Sequence, residues 1–107
     1  MSELFHTPWS IDVSAVDGGT RLTLRGELDA ATAVELGQHV AASPGGDVQL
    51  DLGDVTFMDS SGLAAILESH RRLAVQGRRL VLTHTSTAVQ RVLELSGVAA
   101  HLDLSAD

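Results

Sequence analysis

The sequence predicts an α/β fold, with a mixed, mostly parallel β-sheet of 4–5 strands packed by about 3–4 helices. Segments in which polar and apolar residues alternate are interspersed with segments of helical periodicity. Hydrophobic residues make up 44% of the chain and aromatic residues only 3%, which suits an aliphatic core between helices and a sheet. At 107 residues without Cys, the chain is long enough for a single core without disulfides. We therefore expect one domain over residues 1–107, with its core at about 10–104 and loose ends at 1–9 and 104–107.

The first structural unit is predicted to be a β-hairpin followed by a helix. SIDVSAV at 10–16 and TRLTLRGEL at 20–28 both alternate polar and apolar residues, and the Asp-Gly-Gly sequence between them favours a turn. Asp29 directly precedes AATAVELGQHVAA, in which apolar residues recur at helical spacing. Asp29 is therefore the predicted N-cap of a helix that ends near Ser43.

The middle of the chain predicts a short strand and a second helix. DVQLDL at 47–52 is the strand, and the VTFM segment that follows is apolar up to Asp59. Gly77 is predicted to end the helix. His70 is expected to be partly buried, with its hydrogen bonds satisfied. The predicted buried face of this helix consists of Leu63, Ile66, Leu67, His70 and Leu73 or Ala74.

The last part of the chain predicts one more strand and one more helix. RRLVLT at 78–83 is the strand, Ser86 and Thr87 open the helix, and Gly97 follows it. A final short strand is expected in AHLDL at 100–104. Because three successive strands are separated by helices, most strand pairs should be parallel crossovers.

The charge and the N-terminal sequence exclude several classes of partner. Fourteen acidic residues face seven Arg and no Lys, so the net charge of -7 repels nucleic-acid phosphates and anionic lipids. MSELFHTPWS lacks the features of a signal peptide, and no run approaches the roughly 18 apolar residues of a membrane span. We expect a cytoplasmic protein with no direct nucleic-acid contact and no membrane insertion.

The sequence also gives little support for an enzyme or a cofactor site. It has no Gly-x-Ser-x-Gly nucleophile motif, and its five His show neither H-x-x-x-H nor H-x-H spacing for a metal. It has no Gly-x-x-x-x-Gly-Lys motif for a nucleotide, although a glycine near a helix N-terminus can receive a phosphate. We expect no catalytic residues, no metal and no cofactor, with nucleotide binding as the weaker alternative.

The most informative stretch is VTFMDSSGLAAIL at 55–67, where a strand is predicted to turn into a helix. Asp59, Ser60 and Ser61 are all residue types that cap helix N-termini, and capping alone explains any one of them. One helix needs only one cap, however, and Gly62 has no side chain to block the approach of a partner. At least one hydroxyl is therefore available for another role, such as modification.

A second turn is expected beside this one. The carboxyl ends of parallel strands meet at one edge of a sheet, so Glu27 and Asp29 should lie at the same edge as Asp59 and Ser60. The edge would be an acidic patch that contains serines. A phosphoryl group on one of these serines would be tolerated at a helix N-terminus, yet it would add about -1.5 to -2 charges to the patch.

These motifs resemble the STAS-domain anti-sigma-factor antagonists, the anti-anti-sigma factors of bacteria. The resemblance rests on VTFMDSSGLAAIL, on GELD at 26–29 and on VQRVLELSGV at 89–98, and it runs from about residue 11 to 104. It implies that Ser60 is phosphorylated by a partner that is both an anti-sigma factor and a serine kinase. The unphosphorylated form would bind this partner and release the sigma factor. A metal-dependent serine phosphatase would restore binding.

The resemblance also implies roles for the neighbouring residues. Glu27 and Asp29 would contact the kinase, while Asp59, Ser61 and Gly62 would shape the phosphorylation loop. ATP is expected in the partner kinase, and the chain itself is expected to be a monomer or weak dimer. The alternative within the family is a STAS subunit or scaffold of a larger complex, such as a stressosome or a lipid-transport ABC system, without a kinase cycle.

Overall fold

The structure, a computed structural model, describes residues 7–104. Of the loose ends predicted at 1–9 and 104–107, residues 1–6 and 105–107 lie outside the described residues. A short 3-10 turn, Ala99–His101, precedes the last strand. The strands are β1 (Ser10–Val16), β2 (Gly19–Leu28), β3 (Asp47–Met58), β4 (Leu80–Thr85) and β5 (Asp103–Leu104), and the helices are α1 (Ala30–Ala42), α2 (Ser60–Val75) and α3 (Thr87–Ser96).

The five strands form one mixed sheet in the order β1-β2-β3-β4-β5. The β1–β2 hairpin is antiparallel, and the other three pairs are parallel. This confirms the predicted fold class. Each of β2, β3 and β4 is followed almost immediately by a helix. The N-termini of α1 and α2 therefore share the edge of the sheet at which β2 and β3 end.

The core is aliphatic, as the composition predicts. Leu22, Leu50 and Leu82 are register neighbours across β2, β3 and β4, and all three are fully buried. Trp9 is only partly buried and packs against this core. The buried apolar residues of α1, α2 and α3 that join the same core are Leu36, Val40, Ile66, Leu73, Val89 and Leu93.

The predicted helix ends are confirmed. Asp29 caps α1, and Ser86 caps α3 by accepting a hydrogen bond from the Val89 backbone N–H at 3.2 Å. Gly77 follows the C-cap of α2 with φ of 71°, in the left-handed region that glycine adopts without strain. Local capping interactions therefore mark the start of α1, the start of α3 and the end of α2.

β3 is longer and less regular than predicted. It continues without a break through Gly53 and Asp54 to Met58. β3 has one extra residue relative to β2 between positions 51 and 54, and another between positions 55 and 57. Each extra residue changes which face of the sheet the next side chains occupy. An alternation pattern read from the sequence cannot follow such changes.

The buried face of α2 differs in part from the prediction. Ile66 and Leu73 are buried as expected, but Gly62 and Ser69 are the other fully buried positions, and Ala74 is exposed. The buried face thus includes two small residues that were not predicted to belong to it. The reason at Gly62 is the close approach of α2 to the sheet, which leaves no space for a larger side chain.

His70 is partly buried on α2, as predicted, but the expectation that its hydrogen bonds are satisfied is wrong. Its ring atom Nδ1 is buried and has no hydrogen-bond partner among residues 7–104. The cavity beside the ring is lined by Leu67, Arg71, Val98 and His101, and none of these gives Nδ1 a hydrogen bond. A buried ring nitrogen in this position carries a cost to stability.

Candidate functional site

The candidate site is the edge of the sheet at which β2 and β3 end. Leu28 and Met58, the last residues of these two strands, are paired in register. The backbone N–H of Asp59 donates to the carbonyl oxygen of Leu28 over 3.4 Å. The turn that leads into α1 and the turn that leads into α2 are therefore in direct contact, as the sequence predicts.

Asp59 is the residue that caps α2. Its backbone is extended, and its Oδ1 atom accepts hydrogen bonds from the backbone N–H groups of Ser61 at 2.9 Å and Gly62 at 3.1 Å. Two backbone donors that have no partner inside the helix are thereby satisfied. The carboxylate also lies at the positive end of the helix dipole. Capping of α2 consequently needs neither of the two serines.

Ser60 and Ser61 are the first two residues of α2. Ser60 is exposed and Ser61 is half-buried, and neither hydroxyl makes a hydrogen bond with any of the residues that the structure describes. The Ser60 hydroxyl is therefore accessible, and it is not needed to cap the helix. A phosphoryl group on Ser60 would sit at a helix N-terminus, where negative charge is favourable.

Gly62 holds the turn close to the end of β2. A Cβ atom placed on Gly62 would lie 2.6 Å from the Leu28 carbonyl oxygen and 2.9 Å from Cγ of Met58. No side chain fits at these distances. Gly62 therefore serves the packing of α2 against the sheet, a role that the sequence pattern alone does not distinguish from access for a partner.

Asp29 caps α1 in a reciprocal arrangement with Thr32. The Oδ1 atom of Asp29 accepts from the backbone N–H groups of Ala31 and Thr32, both at 3.1 Å, and Thr32 Oγ1 accepts from the Asp29 backbone N–H at 2.8 Å. These bonds, first of all the one from the Thr32 backbone N–H, hold the pKa of the Asp29 carboxyl below its ordinary value. Asp29 therefore stays ionised at neutral pH and fixes the start of α1.

Glu27 and Phe57 are paired across β2 and β3, and both are exposed. Phe57 keeps 47% of its surface accessible, although the sequence places it within an apolar strand segment. The second extra residue of β3 lies between Val55 and Phe57, which is why Val55 is buried and Phe57 is not. Sequence reasoning missed this exposed aromatic ring, since the bulge that turns it outward has no signal in the alternation pattern.

The edge thus combines three carboxylates with two hydroxyls that have no hydrogen-bond partner among residues 7–104, and of these only that of Ser60 is exposed. Two of the carboxylates, those of Asp29 and Asp59, are directed to helix N-termini, whereas the side chain of Glu27 is exposed. Within residues 7–104, no three His, Cys, Asp or Glu side chains are grouped so that they could hold a metal ion.

The comparison with protein families identifies the fold. A family model described as "Mlab, STAS domain" matches residues 11–104. The chain belongs to the STAS domain family. The match covers all five strands but for the first residue of β1, and all three helices, so the candidate edge lies within the STAS domain.

Individual STAS proteins resemble this chain along most of its length. The anti-sigma-B factor antagonist of Bacillus subtilis (strain 168) is 28% identical over 99 residues, which is 91% of each chain. Two solved structures share the fold. One is an anti-sigma factor antagonist from Mycobacterium paratuberculosis, with a TM-score of 0.79, 24% identity, and coverage of 94% of this chain and 87% of that one. The other is the anti-sigma factor antagonist SpoIIAA in its unphosphorylated form, with a TM-score of 0.71, 21% identity, and coverage of 92% and 90%.

No helix within residues 7–104 is long and apolar enough to cross a bilayer. The longest of them, α2, has 16 residues and carries Glu68, Arg71 and Arg72.

Proposed function

We propose that this STAS protein is an anti-sigma-factor antagonist that binds an anti-sigma factor when Ser60 is unphosphorylated, and so releases a sigma factor. The partner is a serine kinase that carries the ATP, and phosphorylation of Ser60 ends binding. A metal-dependent serine phosphatase reverses the modification. The chain acts by binding and is not itself an enzyme.

One observation carries the proposal: the hydroxyl of Ser60 is exposed and makes no hydrogen bond to the residues described, while Asp59 already caps the helix. Modification of the Ser60 hydroxyl therefore leaves the cap of α2 in place. The similarity to the anti-sigma-B factor antagonist of Bacillus subtilis supports the same assignment.

The electrostatics of the edge support phosphorylation as the switch. A phosphoryl group on Ser60 adds about -1.5 to -2 charges beside Asp59 and near Glu27, on a chain whose net charge is already -7. A partner surface that complements the unmodified edge then meets an unpaired, partly desolvated charge. Such a mismatch costs several kcal/mol, and about 3 kcal/mol weakens binding by roughly a hundredfold.

The roles of the surrounding residues divide accordingly. Glu27, with an exposed carboxylate, contacts the kinase directly, and Asp29 fixes the turn that presents it. Asp59, Ser61 and Gly62 hold the loop so that Ser60 projects from the first turn of α2. We call this set of residues, 27–29 and 59–62, the docking edge.

The experiment is to incubate the protein with ATP and each candidate anti-sigma kinase from the same genome, and to weigh the intact products. Ser60→Ala is the test variant, and Ser61→Ala is the matched control because it removes the neighbouring hydroxyl. We expect one added phosphate in the wild type and in Ser61→Ala, and none in Ser60→Ala. Calorimetric titration of both forms with the kinase should then show roughly hundredfold weaker binding after phosphorylation.

Two results would contradict the proposal. If Ser60→Ala still gains a phosphate, the acceptor is another residue. If no kinase modifies or binds the protein, and the unmodified chain instead co-purifies with a scaffold or a membrane-transport complex, the subunit function replaces the antagonist function.

A further inference from the structure

A groove lies next to the docking edge, on the side of α3. β3 extends beyond its last pair with β4, that of Leu52 with Thr85, by residues 53–58, and α3 packs beside this extension. The space between them is a groove of about 380 Å³. It is lined by Thr56, Phe57 and Met58 of β3 and by Thr87, Ala88, Arg91 and Val92 of α3.

The groove is continuous with the docking edge. Phe57 lines the groove and is the register partner of Glu27, while Met58, which also lines it, is joined directly to Asp59. A partner that covers Glu27 and the Asp59–Ser60 turn therefore lies next to two of the residues that line the groove.

The lining of the groove has the chemistry of a binding hot spot. Phe57 is 47% exposed, and it is the one aromatic side chain among the large exposed hydrophobic residues of the part that the structure describes. Aromatic and Arg side chains carry a large share of the energy in protein interfaces. An aromatic ring buries a large apolar area, and a guanidinium forms charged hydrogen bonds with a carboxylate. So exposed an aromatic ring, in the same groove as Arg91, is unusual for a chain with only 3% aromatic residues.

The charge of the groove is opposite to that of the docking edge. Arg91 is the charged residue of the lining, and its guanidinium has no carboxylate within ion-pair distance and no hydrogen bond among residues 7–104. The edge beside it presents the carboxylate of Glu27. The surface is thus divided into an acidic part and an apolar part with one positive charge.

We propose that this groove is the second half of the anti-sigma-factor binding surface, and that it takes an apolar side chain flanked by a carboxylate of that partner. The carboxylate pairs with Arg91 and the apolar side chain packs on Phe57, while basic groups of the partner meet the docking edge. This inference rests on the proposed function. It adds two residues outside the Asp-Ser-Ser-Gly turn that select the partner by apolar contact and by opposite charge.

The test uses the unphosphorylated protein and the anti-sigma kinase that phosphorylates Ser60 in the experiment above. The dissociation constant is measured by calorimetry for the wild type, Phe57→Ala and Arg91→Glu. Leu95→Ala is the matched control, since Leu95 is an exposed apolar residue of α3, 83% accessible, that does not line the groove. We expect each groove variant to weaken binding by about tenfold or more, and Leu95→Ala to stay within about twofold of the wild type.

The outcomes separate this inference from the proposed function. If the kinase binds the wild type but both groove variants bind within about twofold of it, the groove proposal is wrong and the proposed function stands. If no anti-sigma kinase binds the wild type, both fail together. If Phe57→Ala leaves kinase affinity unchanged but abolishes a dimer of this chain in sedimentation velocity, the groove holds a second copy and the proposal is overturned. Arg91→Glu keeps the test decisive if Phe57→Ala is unstable, because the Arg91 side chain is exposed.

Discussion

Gly62 of α2 lies so close to Leu28 of β2 that a Cβ atom on Gly62 would be 2.6 Å from the Leu28 carbonyl oxygen. The neighbouring hydrogen bond from the Asp59 N–H to the same oxygen, at 3.4 Å, belongs to the same contact. The position of Ser60 relative to Glu27 and Asp29 therefore depends on the absence of one methyl group. This relationship joins the packing of the domain to the geometry of its docking edge.

Gly62→Ala should destabilise the protein. The added methyl group meets a backbone oxygen that cannot move without distorting β2, and overpacking of this kind costs about 1–3 kcal/mol. The free energy of unfolding in urea measures the effect. Gly37→Ala in α1 is the matched control, because a Cβ atom there meets nothing within 4 Å. That variant should gain up to about 1 kcal/mol from higher helix propensity, and equal stabilisation by both variants would refute the close contact.

Asp59→Ala should lower the free energy of unfolding by about 0.5–2 kcal/mol, because the N–H groups of Ser61 and Gly62 lose their acceptor. Asp59→Asn keeps an oxygen acceptor in the same place and should lose much less. Urea titration of the three proteins at neutral pH is the measurement. Equal losses in the two variants would mean that the charge of Asp59, and not its capping bonds, stabilises α2.

Stability should fall in acid partly through Asp29. Hydrogen bonds from the Thr32 backbone lower the pKa of the Asp29 carboxyl in the folded state relative to the unfolded state. The ionised group therefore adds stability above its unfolded pKa of about 3.9, and this contribution is lost as the pH falls through the folded pKa.

Asp29→Asn isolates this contribution, since Asn also caps helices but does not titrate. The wild type should be the more stable of the two at pH 7, and the difference should shrink as the pH falls below about 4. Urea midpoints measured across that range give the difference at each pH. A gap that stays constant or widens in acid would contradict the assignment.

His70→Leu should stabilise the protein. The buried Nδ1 atom of His70 has no hydrogen-bond partner among the described residues, and an unsatisfied buried polar atom costs about 1–3 kcal/mol. An apolar replacement removes this cost, so the melting temperature should rise. His39→Leu is the control, because the Nδ1 atom of the half-buried His39 does have a partner, the Glu35 carbonyl oxygen at 2.9 Å. A lower melting temperature for His70→Leu would show that its ring has a polar partner in solution.

The predictions from sequence succeeded where the determining interactions are local. The cap at Asp29, the helix opening at Ser86 and the glycine ends at Gly77 and Gly97 each involve residues within a few positions of one another. The meeting of the Glu27 turn with the Asp59 turn followed from a general property of parallel sheets. These features need no knowledge of the particular packing.

The errors came from packing and register. The displaced buried face of α2 and the unsatisfied ring of His70 both depend on how close α2 lies to its neighbours. The exposure of Phe57 depends on an extra residue in β3 that is defined only by the partner strand. A single sequence does not contain these distances.

The sequence by itself determined the order of strands and helices, the aliphatic core and the turn that carries Ser60, because propensity, periodicity and capping act over a few residues. Tertiary structure alone decided which of Asp59, Ser60 and Ser61 caps the helix, and that Phe57 and Arg91 line one groove beside the docking edge. The choice of cap depends on where β3 ends beside β2, as the bond from the Asp59 N–H to the Leu28 carbonyl oxygen shows. The groove depends on contacts between residues far apart in the chain. Such contacts form only when β2, β3 and α3 are packed together.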